Sequence, residues 1–337
     1  MILAGDIGGT KTNLAWCTSR DGRVTLISQR SFASQQYPGL EAILEDFLRE
    51  HAGDLTGACF GIAGPVVDGR AHPTNLPWLV DVRALQRTLG LKAVGLINDL
   101  EATAYGIQAL PEEAFAVLNA GDPQPHGTIA VIAAGTGLGE AALIWNDLRY
   151  QAVASEGGHA DFAPRNELEM ELLRYLTRQF GHVSYERLLS GPGKVSIYQF
   201  LKETGRGEEP AWLTQVLAHG DPSPVISEMA LNGRSELCVK ALKLFTSIYG
   251  AEAGNLALKY LARGGVYLGG GIAPKMLPLL QDGTFMQAFA DKGRLSELLS
   301  RIPVRVILEE RTALYGAAFY GGSLVEANER LPRRLHA

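Results

Sequence analysis

Two short stretches concentrate the side chains that could do chemistry. In Leu96-Ile97-Asn98-Asp99-Leu100-Glu101 an amide and a carboxylate follow directly on a short apolar run, Val94 to Ile97. Such a run reads as a buried strand. The helix formers of Leu100-Glu101-Ala102-Thr103-Ala104-Tyr105 come next, which puts Asp99 where a strand gives way to a helix. In open α/β sheets ligands collect at the carboxyl ends of strands, and a carboxylate there can take a proton from a substrate hydroxyl. Asp99 can equally be a plain helix cap, a common use of Asp and Asn. The second stretch is Ser155-Glu156-Gly157-Gly158-His159-Ala160-Asp161. Glu156 can accept hydrogen bonds from two adjacent hydroxyls, the glycines let a ligand lie close, and His159 can donate or accept. A glycine-rich turn with a capping histidine is the bland alternative. Metal binding by His159, Asp161 and His182 would imitate a set of two histidines and one carboxylate, but no cysteine supports it.

Three glycine turns offer backbone rather than side chains. Gly5-Asp6-Ile7-Gly8-Gly9-Thr10 joins two strands, so it is neither a P-loop nor a dinucleotide fingerprint, both of which lead into a helix. Its glycines let N–H groups approach phosphate oxygens and form an anion-binding nest, and Asp6 could hold Mg²⁺ through water. A plain hairpin turn is the competing reading. Gly135-Thr136-Gly137-Leu138-Gly139 is a second loop of this kind, again with a threonine hydroxyl. Gly269-Gly270-Gly271 adds a flat ledge suited to an adenine or ribose, or else a tight turn before a helix. Gly181 to Gly193 reads as a helix with a strong stop, with Ser184 as N-cap and Glu186 in the first turn, where the helix dipole favours a carboxylate.

The elements that must position these groups follow from the spacing of apolar residues. Strands are predicted at Met1 to Ala4, Asn13 to Thr18, Arg23 to Arg30, Leu55 to Ala63, Val94 to Ile97, Thr128 to Ala134, Glu140 to Trp145, Gly265 to Leu268 and Val304 to Leu308. Helices are predicted at Gly39 to Leu48, Val82 to Leu89, behind Asp99, at Glu167 to Leu173, Tyr185 to Leu201, Ser227 to Leu261 and Thr312 to Ala327. Thr74 to Trp78 is an irregular loop and Glu203 to Asp221 the most loop-like segment. Strand, glycine turn, strand occurs in both halves, which predicts two similar βα units, each presenting a phosphate-sized turn.

At 337 residues the chain is long enough for two domains. Its 31 basic and 36 acidic residues leave a net charge of −5 with no basic cluster, which argues against nucleic acid or anionic membrane as main partner. Arg330, Arg333 and Arg334 in the tail read as a solvated terminus. Cys17, Cys59 and Cys238 have no metal or disulfide spacing and fit a reducing cytosol. The opening residues read as a strand rather than a signal peptide, and no apolar run approaches the roughly 20 residues of a membrane span.

Taken together, Ile97-Asn98-Asp99, Gly135 to Gly139, Ser155 to Pro164, Gly181 to Gly193 and Gly269 to Pro274 give a chain that resembles the bacterial glucokinases of the hexokinase superfamily over essentially its whole length. The resemblance implies an α/β, two-domain actin-like ATPase (ribonuclease H-like) fold with an interdomain cleft. Residues 1–109 plus 311–337 would form a small domain and 110–310 a large one. It implies ATP-dependent phosphorylation of D-glucose to glucose 6-phosphate, the first step of glycolysis, by a cytoplasmic homodimer. Asp99 would be the general base on the 6-hydroxyl. Asn98, Glu156, His159 and Glu186 would bind the other hydroxyls, with Asn75 and its loop helping to close the sugar site. Gly5, Asp6, Ile7, Gly8, Gly9, Thr10, Gly135, Thr136, Gly137 and Gly139 would cradle ATP phosphates with Mg²⁺, and Gly270 and Gly271 would lie by the adenosine. No protein cage for the metal is expected.

Two departures stand out. Lys11 follows Thr10 where this glucokinase type commonly has Asn, wording shared with the related repressor/ORF/kinase sugar kinases, and it bears on ATP versus polyphosphate as donor. Those relatives typically carry a cysteine-rich zinc motif after the histidine that matches His159. Here Ala160-Asp161-Phe162-Ala163-Pro164 stands instead, which sides with the zinc-free type. A kinase for another hexose or N-acetylhexosamine is the first alternative function. A non-catalytic sugar sensor is the second, disfavoured because the first strand begins at Met1 and leaves no room for a preceding DNA-binding module.

Overall fold

The computed structural model describes residues 1–334 apart from Asp21, Ala52 and Thr74, with the side chains of 330–334 also left aside. Arg330, Arg333 and Arg334 therefore lie outside the described side chains, as does Thr74 in its loop. The chain divides into two compact units, Met1–Ala114 with Gln151–Ala154 and Glu309–Ala337, and Phe115–Tyr150 with Ser155–Leu308.

The first unit is built on strands β1 (Ile2–Ile7), β2 (Lys11–Arg20), β3 (Arg23–Ala33) and β4 (Gly57–Ile62), with a two-residue pair β5 (Arg70–Ala71) and β6 (Val80–Asp81), and β7 (Val94–Asn98). The main sheet runs β3-β2-β1-β4-β7. β1 pairs antiparallel with β2 and parallel with β4, and β7 extends the parallel side. Helices α1 (Leu40–Leu48) and α2 (Val82–Leu89) bring Ile43, Leu44, Phe47 and Leu85 into a core with Leu3, Ile7, Leu14 and Phe60. α2 has the expected bounds because both ends are signalled. The Asp81 carboxylate accepts from Arg83 N, and Gly90 closes the helix in the left-handed conformation. Helix α3 (Asp99–Ala109) packs on the long C-terminal helix, which begins at Thr312. A side chain at Gly316 would collide with the carbonyl of Ala102, and one at Gly106 with that of Thr312. These glycines bring the two backbones into contact and so fix the height of α3 over the sheet.

The second unit repeats the scheme. Its strands are β8 (Phe115–Asn119), β9 (Ile129–Ala134) and β10 (Leu138–Trp145), then β11 (Tyr150–Ser155) at the boundary between the units, β12 (Gly265–Gly269) and β13 (Val304–Ile307). The order runs β10-β9-β12-β13-β8, with β9 antiparallel to β10 and parallel to β12. β1 and β9 thus occupy equivalent places, each starting a glycine-turn hairpin and each flanked by a parallel strand. The helices are α4 (Glu167–Phe180), α5 (Gly191–Glu203), α6 (Ala211–Leu217), α7 (Pro222–Leu231), α8 (Glu236–Tyr260), α9 (Leu277–Leu280), α10 (Thr284–Ala290) and α11 (Ser296–Ser300), and the C-terminal helix of the first unit is α12 (Thr312–Arg334). α8 is buried on nearly every side from Leu237 to Ala257. Its Gly250 and Gly254 admit the carbonyls of Phe285 and Phe289 from α10.

Four expectations change. β1 runs on through Gly5, Asp6 and Ile7, so only Gly8 to Thr10 form the turn. Gly191-Pro192-Gly193 opens α5 rather than stopping a helix: Ser190 is the N-cap, its hydroxyl accepting from Gly193 N, and Pro192 stands in the first turn where it lacks no partner. The segment before it is a single turn of 3-10 helix, Tyr185–Arg187, which Ser184 precedes without a side-chain cap bond. Glu203 to Asp221 contains α6, whose Leu213 is buried in the core.

Candidate functional site

In the first unit the polar groups gather at the end of β7. The chain leaves the strand at Asn98 in an extended conformation and enters α3 at Asp99. Asn98, not Asp99, is the cap: its Oδ1 accepts from Leu100 N at 2.8 Å, and its own N–H donates to Glu101 Oε2 at 2.9 Å. The Asn98 amide also donates to the carbonyl of Gly64 at 3.1 Å. Asp99 is half-buried, its Oδ1 accepting from Leu100 N at 2.9 Å and its carbonyl from the Thr103 hydroxyl at 2.9 Å. Gly61 on β4 makes room for this junction, because a side chain there would press on Ala102. Asn75 lies exposed in a turn with φ of 64°, a left-handed conformation that asparagine tolerates. The turn is held on one side by Trp78, buried with its indole N–H on the carbonyl of Tyr37 at 3.1 Å.

The first glycine turn is pinned from beneath. Gly8 N donates to Lys11 O at 2.9 Å, Ser34 N to Thr10 O at 3.0 Å and the Ser34 hydroxyl to Gly8 O at 2.8 Å. Ser34 is fully buried and shares a 3.0 Å hydrogen bond with Thr12. Nothing in the sequence marked Ser34, which lies 24 residues beyond Thr10. Asp6 sits in β1 with Asn13 Nδ2 at 3.4 Å. Burial pushes its carboxyl above the ordinary carboxylate range, with the Asn13 amide acting the other way. A lone acid so placed fits a cation held mainly through water and phosphate. Among the described residues no group of three or more His, Cys, Asp or Glu could hold a metal by itself.

In the second unit, Ser155 to Asp161 forms a compact loop. Gly157 N donates to the Ser155 hydroxyl at 2.9 Å and His159 N to Glu156 O at 3.0 Å. Gly158 lies against the carbonyl of Leu138, where a Cβ would collide. Tyr185 N donates to Ala160 O at 3.0 Å, which ties the loop to the segment carrying Glu186. Glu186 Oε2 accepts from Leu138 N at 3.0 Å and covers Gly137, while its Oε1 is 3.9 Å from His159 Nδ1. Glu156 and His159 are exposed. Glu186 therefore bridges the second glycine turn and the polar loop, which sequence spacing could not convey. Gly135 N bonds Gly137 O at 2.8 Å within that turn, leaving open space around Gly135. Gly270, at φ of 78°, lies against Ala134 O, so Gly269 to Gly271 border the same turn, and Gly271 also faces open space. Thr136 completes the turn, whereas Gly139, expected in the loop, already lies in β10 opposite Ala133. His182 pairs instead with Asp161 at 2.6 Å on the surface, apart from His159.

A glucokinase family model matches residues 3–323. The chain belongs to the glucokinase family. It is 44% identical over 339 residues to the glucokinase of Nostoc punctiforme, covering 96% of this chain and 99% of that one. It is 31% identical, with a TM-score of 0.84, to the solved glucokinase of an Antarctic psychrotroph, covering 96% of this chain and 98% of that one. The solved ROK-family glucokinase of Streptomyces griseus, a complex with glucose and AMPPNP, shares the fold at 23% identity and a TM-score of 0.62, covering 96% and 99%. The fold is that of the actin-like ATPases, and the enzyme is of the bacterial glucokinase type. No helix among the described residues is long and apolar enough to cross a membrane.

Proposed function

We propose that this glucokinase-family enzyme transfers the γ-phosphoryl group of ATP to the 6-hydroxyl of D-glucose, with Asp99 as general base. The observation that carries the reading is the Asn98–Asp99 junction: a half-buried carboxylate at the end of a parallel strand, on the first turn of a helix that Asn98 caps. Phosphoryl transfer asks mainly for positioning and charge neutralisation. A hexose hydroxyl is a poor acid, so a base must take its proton as the new P–O bond forms. Asn98, Glu156, His159, Glu186 and Asn75 hold the other hydroxyls, with Glu156 free to accept from two of them. Backbone N–H groups of Gly9, Thr10, Thr136 and Gly137 receive phosphate oxygens, while Gly8 N and Gly135 N are bonded inside their turns and hold them in shape, and Gly270 and Gly271 border the adenosine. Asp6 would help hold the Mg²⁺ that accompanies the nucleotide, and the ion would neutralise phosphate charge. The family resemblance supports a cytoplasmic homodimer.

A coupled assay with glucose, mannose, fructose and N-acetylglucosamine, each with ATP and with polyphosphate, tests the reading. Glucose with ATP is expected to give the highest kcat/KM. A preference for another sugar transfers the same machinery to that substrate, and a preference for polyphosphate points to Lys11.

A further inference from the structure

Beneath the loop that carries Glu156 and His159 lies a carboxyl group with no assigned role. Glu140, on β10, is 1% exposed, and neither of its carboxyl oxygens accepts a hydrogen bond from another residue among the described ones. Its Oε2 lies under Gly157, where a Cβ would collide with it. Facing it from α8 is Glu252, also fully buried, which accepts from Asn255 Nδ2 at 2.8 Å and pairs with Lys259 at 3.2 Å. The other titratable groups around the pair are already engaged. The Tyr249 hydroxyl donates to Ile132 O at 3.2 Å, the Tyr185 hydroxyl accepts from Asn255, and Lys292 donates to Ala251 O and Asn255 Oδ1. Arg165, which influences Tyr185 and Lys292, is bound to Glu169 at 2.6 Å.

Two buried carboxyls in contact do not both ionise at neutral pH. Glu252 is bonded to Lys259 and to the Asn255 amide and Glu140 to neither, so the proton stays with Glu140. We infer that Glu140 is a positioning residue for the sugar loop: as a neutral acid it supports Gly157, and its ionisation displaces Gly157 to His159 and weakens glucose binding. This rests on the reading above that Glu156 and His159 hold the sugar. Burial first, and the Glu252 charge second, lift Glu140 from 4.5 to about 8, with Lys259 opposing. The folded state then holds a proton that the unfolded chain gives up between those values. Stability attached to Glu140 is complete below the lower value and is lost as pH rises toward the upper one.

The test measures kcat and KM for glucose, and Tm without sugar, across neutral and alkaline pH for the wild type and for Glu140→Gln, which keeps the size and neutrality of the protonated acid. The wild-type KM is expected to rise about threefold or more from pH 7 to pH 9 at nearly constant kcat. The Glu140→Gln KM should stay flat at the wild-type neutral value. Tm of the wild type should fall relative to Glu140→Gln between pH 5 and pH 8. Parallel KM profiles, or equal pH slopes of Tm, overturn the inference. Should Glu140→Gln fail to fold, Glu252→Gln serves: losing the second carboxyl should move the KM rise to lower pH, and an unmoved rise overturns the role. A wild type that never phosphorylates glucose sinks the kinase reading instead, while the sugar-free Tm comparison still judges Glu140.

Discussion

The Asn98–Asp99 junction and the Glu156–His159 loop are built on opposite plans. Asp99 is held by its own helix: Asn98 caps α3 from two sides, Thr103 fixes the Asp99 carbonyl, and Gly106 and Gly316 seat α3 against α12. Glu156 and His159 are exposed on a glycine loop, whose place is set by backbone bonds, the Ser155 hydroxyl and the packing of Gly157 and Gly158. The difference teaches how labour is divided. Proton transfer needs a donor–acceptor geometry fixed in advance, since small misplacements are costly. Hydroxyl recognition needs polar groups whose bonds await the ligand, and such a pocket suffers when a partner is missing. Damage to the junction should therefore appear in kcat, and damage to the loop in KM.

The sharpest way to break that comparison is Asp99→Asn, which keeps shape and removes the base. Turnover should fall by about 10²–10⁴ while calorimetric glucose affinity stays within a few-fold. A variant that turns over nearly as fast as wild type removes Asp99 from the chemistry. Glu156→Ala should raise the glucose KM by about 10–100-fold, the worth of hydrogen bonds to a charged group, with a much smaller change in kcat. If kcat collapses and KM holds, the loop and the junction have exchanged roles. Asn98→Ala should cost about 1 kcal/mol of stability through the lost cap, read from the urea midpoint, and lower kcat by loosening Asp99. Ser34→Ala tests the glycine turn alone. Losing one buried hydrogen-bonding group, about 1 kcal/mol, should raise the KM for ATP several-fold and leave that for glucose unchanged. Equal effects on both substrates would argue for general loosening of the unit.

Much of the scaffold was legible because apolar runs and caps are local. α2 could be bounded to the residue by Asp81 and Gly90, and the hairpin repetition reappears as the equivalent places of β1 and β9. Gly191-Pro192-Gly193 misled because proline and glycine punctuate a helix at either end, and only the Ser190 cap decides which. β8 escaped notice because its residues are half-exposed at a sheet edge, with no buried apolar run to signal it. Gly5 reads as turn punctuation, yet it extends β1 because Phe60 on β4 fills the space a side chain would need. The site showed the same limit. Asp99 and Glu156 could be singled out from neighbours in sequence, whereas Ser34 under Gly8, Glu186 over Gly137 and Glu140 under Gly157 are contacts that only folding creates.

The most direct measurement is a crystal structure of the enzyme with glucose bound. The account predicts an Asp99 carboxylate oxygen within hydrogen-bond reach of O6, roughly 2.6–3.2 Å, with Glu156 on the ring hydroxyls. An Asp99 side chain turned away from O6, with another acid in its place, would contradict it.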